Sequence, residues 1–312
     1  MRTVLCISLE SDSGVSAMPQ KLSTYLKNLY GEKVYRLSLS SGCYCPNRDG
    51  SAGVYGGCTF CSSGGSGEFA AQFADIDEQI ESARALIRSK TDARLFIAYF
   101  QSYTNTYGDA SRLRALYMRA IQRDDIAILS IATRPDCLGE DVLSMLKELN
   151  EIKPVWVELG LQTIHEESAR SFRRGYELPV FEKAYKDLKD LGITVIVHVI
   201  FGLPGETSED MLDTIRYLSG LTPPLDGIKI QNLQILKGTD MYLKYEEEPF
   251  YVMSMEEYTD LVRQAIALLP EKTVVHRMTG DGPRRLLVAP LWSLDKKRVL
   301  NMLTKKTAEY LS

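Results

Sequence analysis

The chain has 312 residues, of which 45% are hydrophobic and 25% are charged, as in soluble globular proteins. These values exclude a largely disordered chain, a collagen-like chain and a coiled coil, and no apolar run reaches the roughly 18–20 residues that a membrane helix needs. The formal net charge of −4 excludes a uniformly basic nucleic-acid binder, although a local basic patch is compatible with it.

The first seventeen residues differ from the rest. Met1 is followed by one arginine, a short apolar stretch and two early acidic residues, Glu10 and Asp12. A secretory signal needs a longer apolar segment without such acids. We therefore interpret residues 1–17 as a disordered tail or as a misassigned start before Met18, and we expect a cytoplasmic protein that does not bind membranes.

Strand-like and helix-like segments alternate from residue 33 onward. The predicted strands cover residues 33–40, 94–101, 126–132, 155–162, 194–201, 227–236 and 273–278. The predicted helices cover residues 75–89, 111–122, 139–150, 180–191, 208–218 and 255–269. Repeated β-then-α units predict a parallel α/β barrel or a doubly wound sheet. Six full units and a candidate seventh strand fall short of the eight in a closed barrel.

Four of the six cysteines lie close together, on a glycine-rich loop after the first predicted strand: Cys43, Cys45, Cys58 and Cys61. Active sites of parallel barrels lie at this end of the strands. Three thiolates on such a loop can hold an iron–sulfur cluster and leave one iron open. A structural zinc site with four cysteines is the rival interpretation, although only the second pair has the usual Cys-x-x-Cys spacing; a loop without metal is the third. Cys6 and Cys137 are interpreted as plain thiols.

Polar residues interrupt the apolar strands at a few positions. Glu158 and Gln162 lie four apart on one strand, so both should point into the barrel, where a buried glutamate needs a partner or a function. Residues 101–105 form a polar run that is either a binding mouth or a solvated turn. We interpret His198 as a core residue and His165 as structural. His276 and Arg277 could contact substrate but are not assigned to the site.

The cysteine loop combines a particular spacing with particular neighbours. Twelve residues separate Cys45 from Cys58 and two separate Cys58 from Cys61, around the sequences Pro-Asn-Arg-Asp-Gly and Gly-Gly-Cys-Thr-Phe-Cys. Matching motifs recur at residues 99–106, 133–136, 158–163, 174–175 and 201–206. Over residues 18–292 the sequence resembles radical SAM enzymes of the YhcC/YtqA type, which are relatives of the radical SAM domain in the elongator catalytic subunit.

This resemblance implies a fold and a metal centre. The implied fold is α/β, a partial (β/α)6 TIM-like barrel over residues 18–285 with a basic C-terminal extension over residues 286–312. Cys45, Cys58 and Cys61 would bind a [4Fe-4S] cluster whose fourth iron is chelated by S-adenosylmethionine (SAM). In that scheme Cys43 is not a ligand, and an auxiliary cluster is not expected.

The resemblance and the residue pattern together assign a set of residues to the cofactor: Phe60, Gln101, Tyr103, Thr104, Asn105, Glu158, Gln162, Arg174, Gly202 and Leu203. Phe60 would shield the cluster or pack on adenine, and otherwise it belongs to the core. Residues 101–105 would hold the methionine end of SAM. Arg174 would flank the cofactor opposite Gln162, with Arg173 as the alternative. Residues 202–206 would meet the adenine edge or form a simple turn.

The implied activity is radical chemistry on tRNA. Reductive cleavage of SAM would give a 5′-deoxyadenosyl radical, which abstracts hydrogen from the substrate. Within the YtqA branch, MnmL-type enzymes convert 5-carboxymethylaminomethyl-uridine at the tRNA wobble position into 5-aminomethyl-uridine. A low-potential donor such as flavodoxin or ferredoxin would supply the electron. The alternatives are a radical SAM enzyme for a small molecule or a protein, and a non-enzymatic zinc-binding module.

The C-terminal part differs in charge from the remainder. Residues 271–306 contain nine basic and three acidic residues, so the segment carries +6 and the rest of the chain −10. Such a basic run is either a solvated face or a surface that holds RNA phosphates. For a tRNA substrate we expect the second, with phosphate contacts around the barrel mouth.

Overall fold

The computed structural model describes residues 18–65 and 74–311, so the expectations for residues 1–17 and for Cys6 lie outside the described residues. The strands are, in chain order, β1 (Gln20–Lys21), β2 (Val34–Leu39), β3 (Leu95–Phe100), β4 (Ile126–Thr133), β5 (Val155–Gln162), β6 (Thr194–Phe201), β7 (Gly227–Asn232), β8 (Ile235–Leu236), β9 (Val274–Arg277) and β10 (Leu287–Ala289). The helices are α1 (Leu22–Tyr30), α2 (Pro46–Asp49), α3 (Ile76–Ile87), α4 (Ala110–Ile121), α5 (Glu140–Asn150), α6 (Glu166–Ser171), α7 (Leu178–Asp190), α8 (Ser208–Ser219), α9 (Asp240–Glu247), α10 (Met255–Ala267) and α11 (Lys296–Thr307).

Eight of the strands form one parallel sheet in the order β1-β9-β7-β6-β5-β4-β3-β2. Because β1 and β2 lie at opposite edges, the sheet is open, and the expected partial barrel is confirmed. The six predicted β-then-α units are present, from β2 with α3 to β7 with α10. The outward faces of the strands pack under amphipathic helices, as when Leu113, Tyr117 and Ile121 of α4 bury one side of that helix.

Helix α1 covers the inner face of the sheet near the start of the strands. Its Leu26 is buried with Ile97, Ile128 and Trp156, and the helix contacts both β2 and β9. The Tyr30 hydroxyl donates a hydrogen bond to the main-chain carbonyl of Ala127 at 3.3 Å. This end of the interior is therefore apolar and filled, so space remains at the carboxyl ends of the strands.

The C-terminal part differs from the sequence prediction in two respects. The predicted strand 227–236 is two strands, because the chain turns after Asn232, and β8 then pairs antiparallel with β10. Helix α11, where only a basic extension was expected, packs on α10 and buries Val299 and Leu303. The division of the chain at residue 285 stays a prediction. Among the described residues, no helix combines the length and the apolar character needed to cross a bilayer.

Candidate active site

The three cysteines of the predicted cluster border one cavity of about 280 Å³ at the carboxyl ends of the strands. Cys45 precedes α2, where Pro46 occupies the first helical turn. Cys58 and Cys61 form a tight turn in which the Cys61 N–H donates to the Cys58 carbonyl at 2.9 Å. The loop thus brings three cysteine side chains to the same cavity.

Asn47 joins this loop to the segment after α6. Its Nδ2 donates to the carbonyl oxygens of Arg173 at 2.7 Å and Arg174 at 3.0 Å, and lies 3.4 Å from Cys58 Sγ. The approach is close: a Cβ added at Gly175 would lie 2.4 Å from Asn47 Oδ1, and Gly175 has a φ of +81°. A side chain at that position would push the two segments apart.

Arg48 holds the other end of the loop. Its guanidinium donates to the carbonyl of Cys61 at 3.1 Å and also to that of Ser62, and it stacks 5.4 Å from the ring centroid of Tyr103. The Tyr103 hydroxyl in turn donates to the Ser63 carbonyl. The cysteine loop is therefore fixed by side chains that bind its main chain.

The donor set fits a cluster. Burial, and then the neighbouring Cys61, raise the pKa of the Cys58 thiol to about 12, so a bound metal would have to displace its proton. Cys43 does not border the cavity; its buried sulfur accepts a hydrogen bond from Arg112 at 3.3 Å. The other three cysteines of the loop border the cavity, yet no three Cys, His, Asp or Glu side chains of the described chain converge on a single-ion site. This arrangement suits a multi-iron centre in which each iron takes one thiolate.

Three residues beside the cavity have a strained backbone. Ser102, Tyr103 and Gln162 have φ values of +64°, +56° and +68°, which is the left-handed region that non-glycine residues rarely adopt. All three border the cavity. Strain of this kind is concentrated at binding and catalytic sites, so these strand ends are candidates for contact with a ligand.

The structure brings together most of the residues assigned from the sequence. Those that border the cavity are Cys45, Cys58, Phe60, Cys61, Gln101, Tyr103, Thr104, Glu158, Gln162 and Arg174. Asn105, Gly202 and Leu203 do not border it. Asn105 is fully buried and bonds to Ser41, Ser102 and Ala132, and Leu203 belongs to the apolar cluster on which Phe60 packs.

Arg174 reaches the cavity, but its guanidinium is largely used by the protein. It donates to the carbonyl oxygens of Leu161, Thr163 and Tyr176 and forms an ion pair with Glu166 at 2.8 Å. A guanidinium has five N–H donors, so one remains for a ligand. In this structure Arg174 acts mainly as a clamp between the end of β5 and the next loop.

The floor of the cavity holds a network of charged side chains. Glu158 accepts hydrogen bonds from Ser130 at 3.0 Å and from His198 Nε2 at 2.9 Å, and it pairs with Lys229. Burial alone would raise the pKa of Glu158, but the charge of Lys229 and the His198 hydrogen bond hold it well below its usual range. Burial and the nearby Lys229 lower the pKa of His198 to about 4, so this ring is neutral at pH 7. Lys229 also lies 3.3 Å from the Tyr99 hydroxyl.

Sequence reasoning missed Lys229 and the two residues that hold the loop, Asn47 and Arg48. A signal for Lys229 was present, because it is a lysine in an otherwise apolar strand, as Glu158 is a glutamate in one. Two such residues 71 positions apart are natural partners for each other. Asn47 and Arg48 belong to the Pro-Asn-Arg-Asp-Gly sequence that supports the family resemblance, but their roles could not be read from it, since Asn47 contacts residues more than 120 positions away.

Comparisons with known proteins identify the family. The Radical SAM superfamily profile matches residues 44–218, and the Radical_SAM C-terminal domain profile matches residues 225–309. The chain is 40% identical over 286 residues to YtqA of Bacillus subtilis, covering 91% of this chain and 88% of that protein. It is 35% identical over 268 residues to YhcC of Escherichia coli strain K12, covering 86% and 85%. The chain belongs to the radical SAM superfamily and is an enzyme that uses a [4Fe-4S] cluster and SAM.

Solved structures share the fold. The Elp3 protein of Methanocaldococcus infernus superposes with a TM-score of 0.64 at 20% identity, over 74% of this chain and 59% of that one. Methylornithine synthase superposes with a TM-score of 0.51 at 15% identity, over 89% and 84%. At these identities the likeness concerns the barrel architecture.

Proposed function

We propose that this enzyme acts in the cytoplasm on the wobble uridine of tRNA, converting 5-carboxymethylaminomethyl-uridine into 5-aminomethyl-uridine. The tRNA uridine(34) acetyltransferase of Methanocaldococcus jannaschii is 29% identical to this chain over 163 residues, which are 51% of this chain and 29% of that protein. When bound, the cluster and SAM supply the hydrogen-abstracting radical, and flavodoxin or ferredoxin supplies the electron. The protein residues hold the cofactor, orient the substrate and exclude water.

The placement of the basic segment supports an RNA substrate. Residues 280–283 border the cavity, and Lys296, at the start of α11, donates to Asp281 at 2.7 Å. Helix α11 therefore begins beside the cavity mouth. Its exposed face has a groove whose lining includes Lys297, Arg298 and Lys305. Cations beside the mouth of a modification site can hold the phosphates that flank the base.

Part of the segment is neutralised within the protein. Besides the ion pair of Lys296, Lys306 pairs with Asp260 at 2.7 Å. Arg298 lies 3.8 Å from Glu256, and both side chains are exposed, so that pair is weak. We therefore place the RNA contact on the groove, at Lys297, Arg298 and Lys305, rather than on the whole segment.

The test is the salt dependence of tRNA binding. Reversing the groove with Lys297→Glu, Arg298→Glu and Lys305→Glu should weaken tRNA binding and flatten the log–log salt slope by about 0.7 for each lost contact with a single-strand phosphate. A matched control, Lys27→Glu, Arg88→Glu and Lys147→Glu, changes the net charge equally at the opposite end of the barrel. It should leave the slope unchanged. SAM cleavage without tRNA should be the same in all three proteins.

A second measurement addresses the modification itself. Nucleosides from total tRNA, compared by mass spectrometry between cells with and without the gene, should show 5-carboxymethylaminomethyl-uridine accumulating when the gene is absent. Unchanged nucleosides, together with salt-independent tRNA affinities that are identical in wild type and in the groove variant, would remove the RNA proposal. A small-molecule or protein substrate would then take its place.

A further inference from the structure

The floor of the cavity carries more positive than negative charge. Arg277 on β9, Lys229 on β7 and His198 on β6 occupy directly paired positions on three neighbouring strands. Arg36 stacks on the ring of Tyr99 at 4.7 Å, close to the same network. Because His198 is neutral at pH 7, the described residues of this floor supply three cations.

Among the described residues of the floor, one carboxylate, Glu158, faces these cations, and both of its oxygens already accept hydrogen bonds. One of its oxygens accepts from Ser130, and the other accepts from His198 and Lys229. The side chains of Glu158 and Lys229 are 0% and 1% exposed, so they form a closed pair that neutralises itself. Among the described residues, the two arginines of the floor, Arg36 and Arg277, have no carboxylate as an ion-pair partner.

Of the two arginines on the floor, Arg277 is the one that a ligand in the cavity can reach. It borders the cavity, and in the described part of the chain no hydrogen bond or ion pair engages its guanidinium. Two polar atoms nearby are also buried without a partner, Nε of Arg36 and Nδ1 of His276. Buried cations and polar groups without partners cost free energy, so an anion that enters the cavity would stabilise this arrangement.

We infer that the floor is a subsite for an oxyanion of the substrate, with Arg277 as the residue that binds it directly. The planar fork of a guanidinium matches the two oxygens of a carboxylate or a phosphate. The inference rests on the proposed function in one respect: the oxyanion is then the carboxylate on the substituent of the wobble uridine. Arg36 adds a positive charge close to it, and because Glu158 and Lys229 neutralise each other, the Glu158 carboxylate does not repel it.

The proposed subsite lies deeper in the barrel than the residues expected to hold the cofactor. Arg277 pairs with Lys229, which lies three positions before the end of β7 at Asn232. The cysteines lie on the loop beyond the carboxyl end of β2, and Gln162 is the last residue of β5. An anion at Arg277 is therefore deeper in the barrel than a molecule held by the cysteine loop.

The experiment uses isothermal titration calorimetry on the protein carrying its cluster and SAM. Three probes are compared: 5-carboxymethyluridine, its neutral amide 5-carbamoylmethyluridine, and inorganic phosphate. In wild type the acid should bind at least about tenfold more tightly than the amide, as expected for one charge-assisted hydrogen-bonded contact.

Substitutions at Arg277 then test the assignment. Arg277→Gln should reduce the preference for the acid to within about threefold, and Arg277→Lys, which keeps the charge but not the fork, should retain an intermediate preference. Arg88→Gln, on the outer surface of the barrel, serves as the control and should behave as wild type. The affinity of Arg277→Gln for SAM should equal that of wild type.

Each other outcome has a defined meaning. Equal binding of acid and amide by wild type, a preference that survives Arg277→Gln, or no binding of any probe overturns the subsite. A lost affinity for SAM in Arg277→Gln also overturns it, because the anion is then the cofactor's carboxylate. Phosphate binding that depends on Arg277, with neither nucleoside bound, upholds the subsite and overturns the uridine proposal.

Discussion

The mouth and the floor of the cavity use polar side chains in opposite ways. At the mouth, the side chains of Asn47, Arg48, Arg134 and Arg174 donate to main-chain carbonyl oxygens of loops. On the floor, the side chains around Glu158 bond to one another and, within the described residues, to no main-chain group. The difference follows from the backbone: strand amides and carbonyls are already paired in the sheet, whereas loop carbonyls need partners.

Because of this difference, we expect substitutions at the mouth and on the floor to have different consequences. A lost side chain at the mouth releases a loop and therefore moves the sulfur ligands. A lost side chain on the floor leaves the loops in place and exposes a charge in the interior. The mouth should thus govern the metal centre and the floor the substrate, and the loss of a buried charged partner should lower stability in either region.

The largest effect is expected at the cysteines of the mouth. Cys45→Ala, Cys58→Ala and Cys61→Ala should each abolish the cluster and all SAM cleavage, because each removes one of three protein ligands. Cys43→Ala and Cys137→Ala are matched controls that should keep both. Iron content and SAM cleavage are measured after anaerobic purification. A normal cluster in Cys58→Ala, or none in Cys43→Ala, would refute the ligand assignment.

At the mouth, substitution of Arg174 should reduce the stability of the protein more than its affinity for SAM. Arg174→Met leaves three carbonyl oxygens without their donor and removes the ion-pair partner of Glu166, which is 30% exposed and keeps a hydrogen bond from the Leu178 N–H. The expected loss of stability is about 1–3 kcal/mol. Its neighbour Arg173, 32% exposed and paired with Asp240, supplies the control, because Arg173→Met should cost less than about 1 kcal/mol. Denaturant titration measures both. Equal stability of the two variants, with SAM binding lost only in Arg174→Met, would favour direct binding of SAM instead.

The floor should show coupling between its charges. Lys229→Met leaves Glu158 buried without its positively charged partner, so it should destabilise the protein, whereas the double variant Lys229→Met/Glu158→Gln should recover stability. The coupling free energy expected for such contacting partners is about 0.5–3 kcal/mol. A double-mutant cycle from denaturant titrations measures it. Additive losses would mean that the pair is not a closed unit.

Much of the mouth could be predicted from the sequence, because its chemistry lies in local motifs. Short segments of the sequence predicted the strand ends at Gln162 and Phe201 and a position beside the cavity for Cys45, Cys58 and Cys61 and for most of the polar run at residues 101–105. The roles of these side chains stay predictions. Strands 155–162 and 194–201 have the predicted bounds, since their apolar runs end at polar or glycine residues.

The floor and the clamps could not be predicted in the same way. Glu158 contacts Lys229 only because β5, β6 and β7 pair in a particular register. Arg174 holds two segments together because its guanidinium binds carbonyl oxygens at the end of β5. The sequence placed Glu158 inside the barrel without naming its partner. It also indicated only a basic extension where α11 forms, because the many lysines of this helix obscure its buried apolar positions, Val299 and Leu303.

The central claim is that the mouth alone holds the metal centre and SAM, so that Glu158, which the sequence analysis assigned to the cofactor, serves the floor instead. The most direct measurement is the electron paramagnetic resonance spectrum of the reduced protein, with and without SAM, for wild type and for Lys229→Met/Glu158→Gln. We predict a [4Fe-4S] signal that changes when SAM is added, and the same change in the floor variant. A wild-type protein that carries zinc without iron, or a floor variant whose cluster no longer responds to SAM, would contradict the claim.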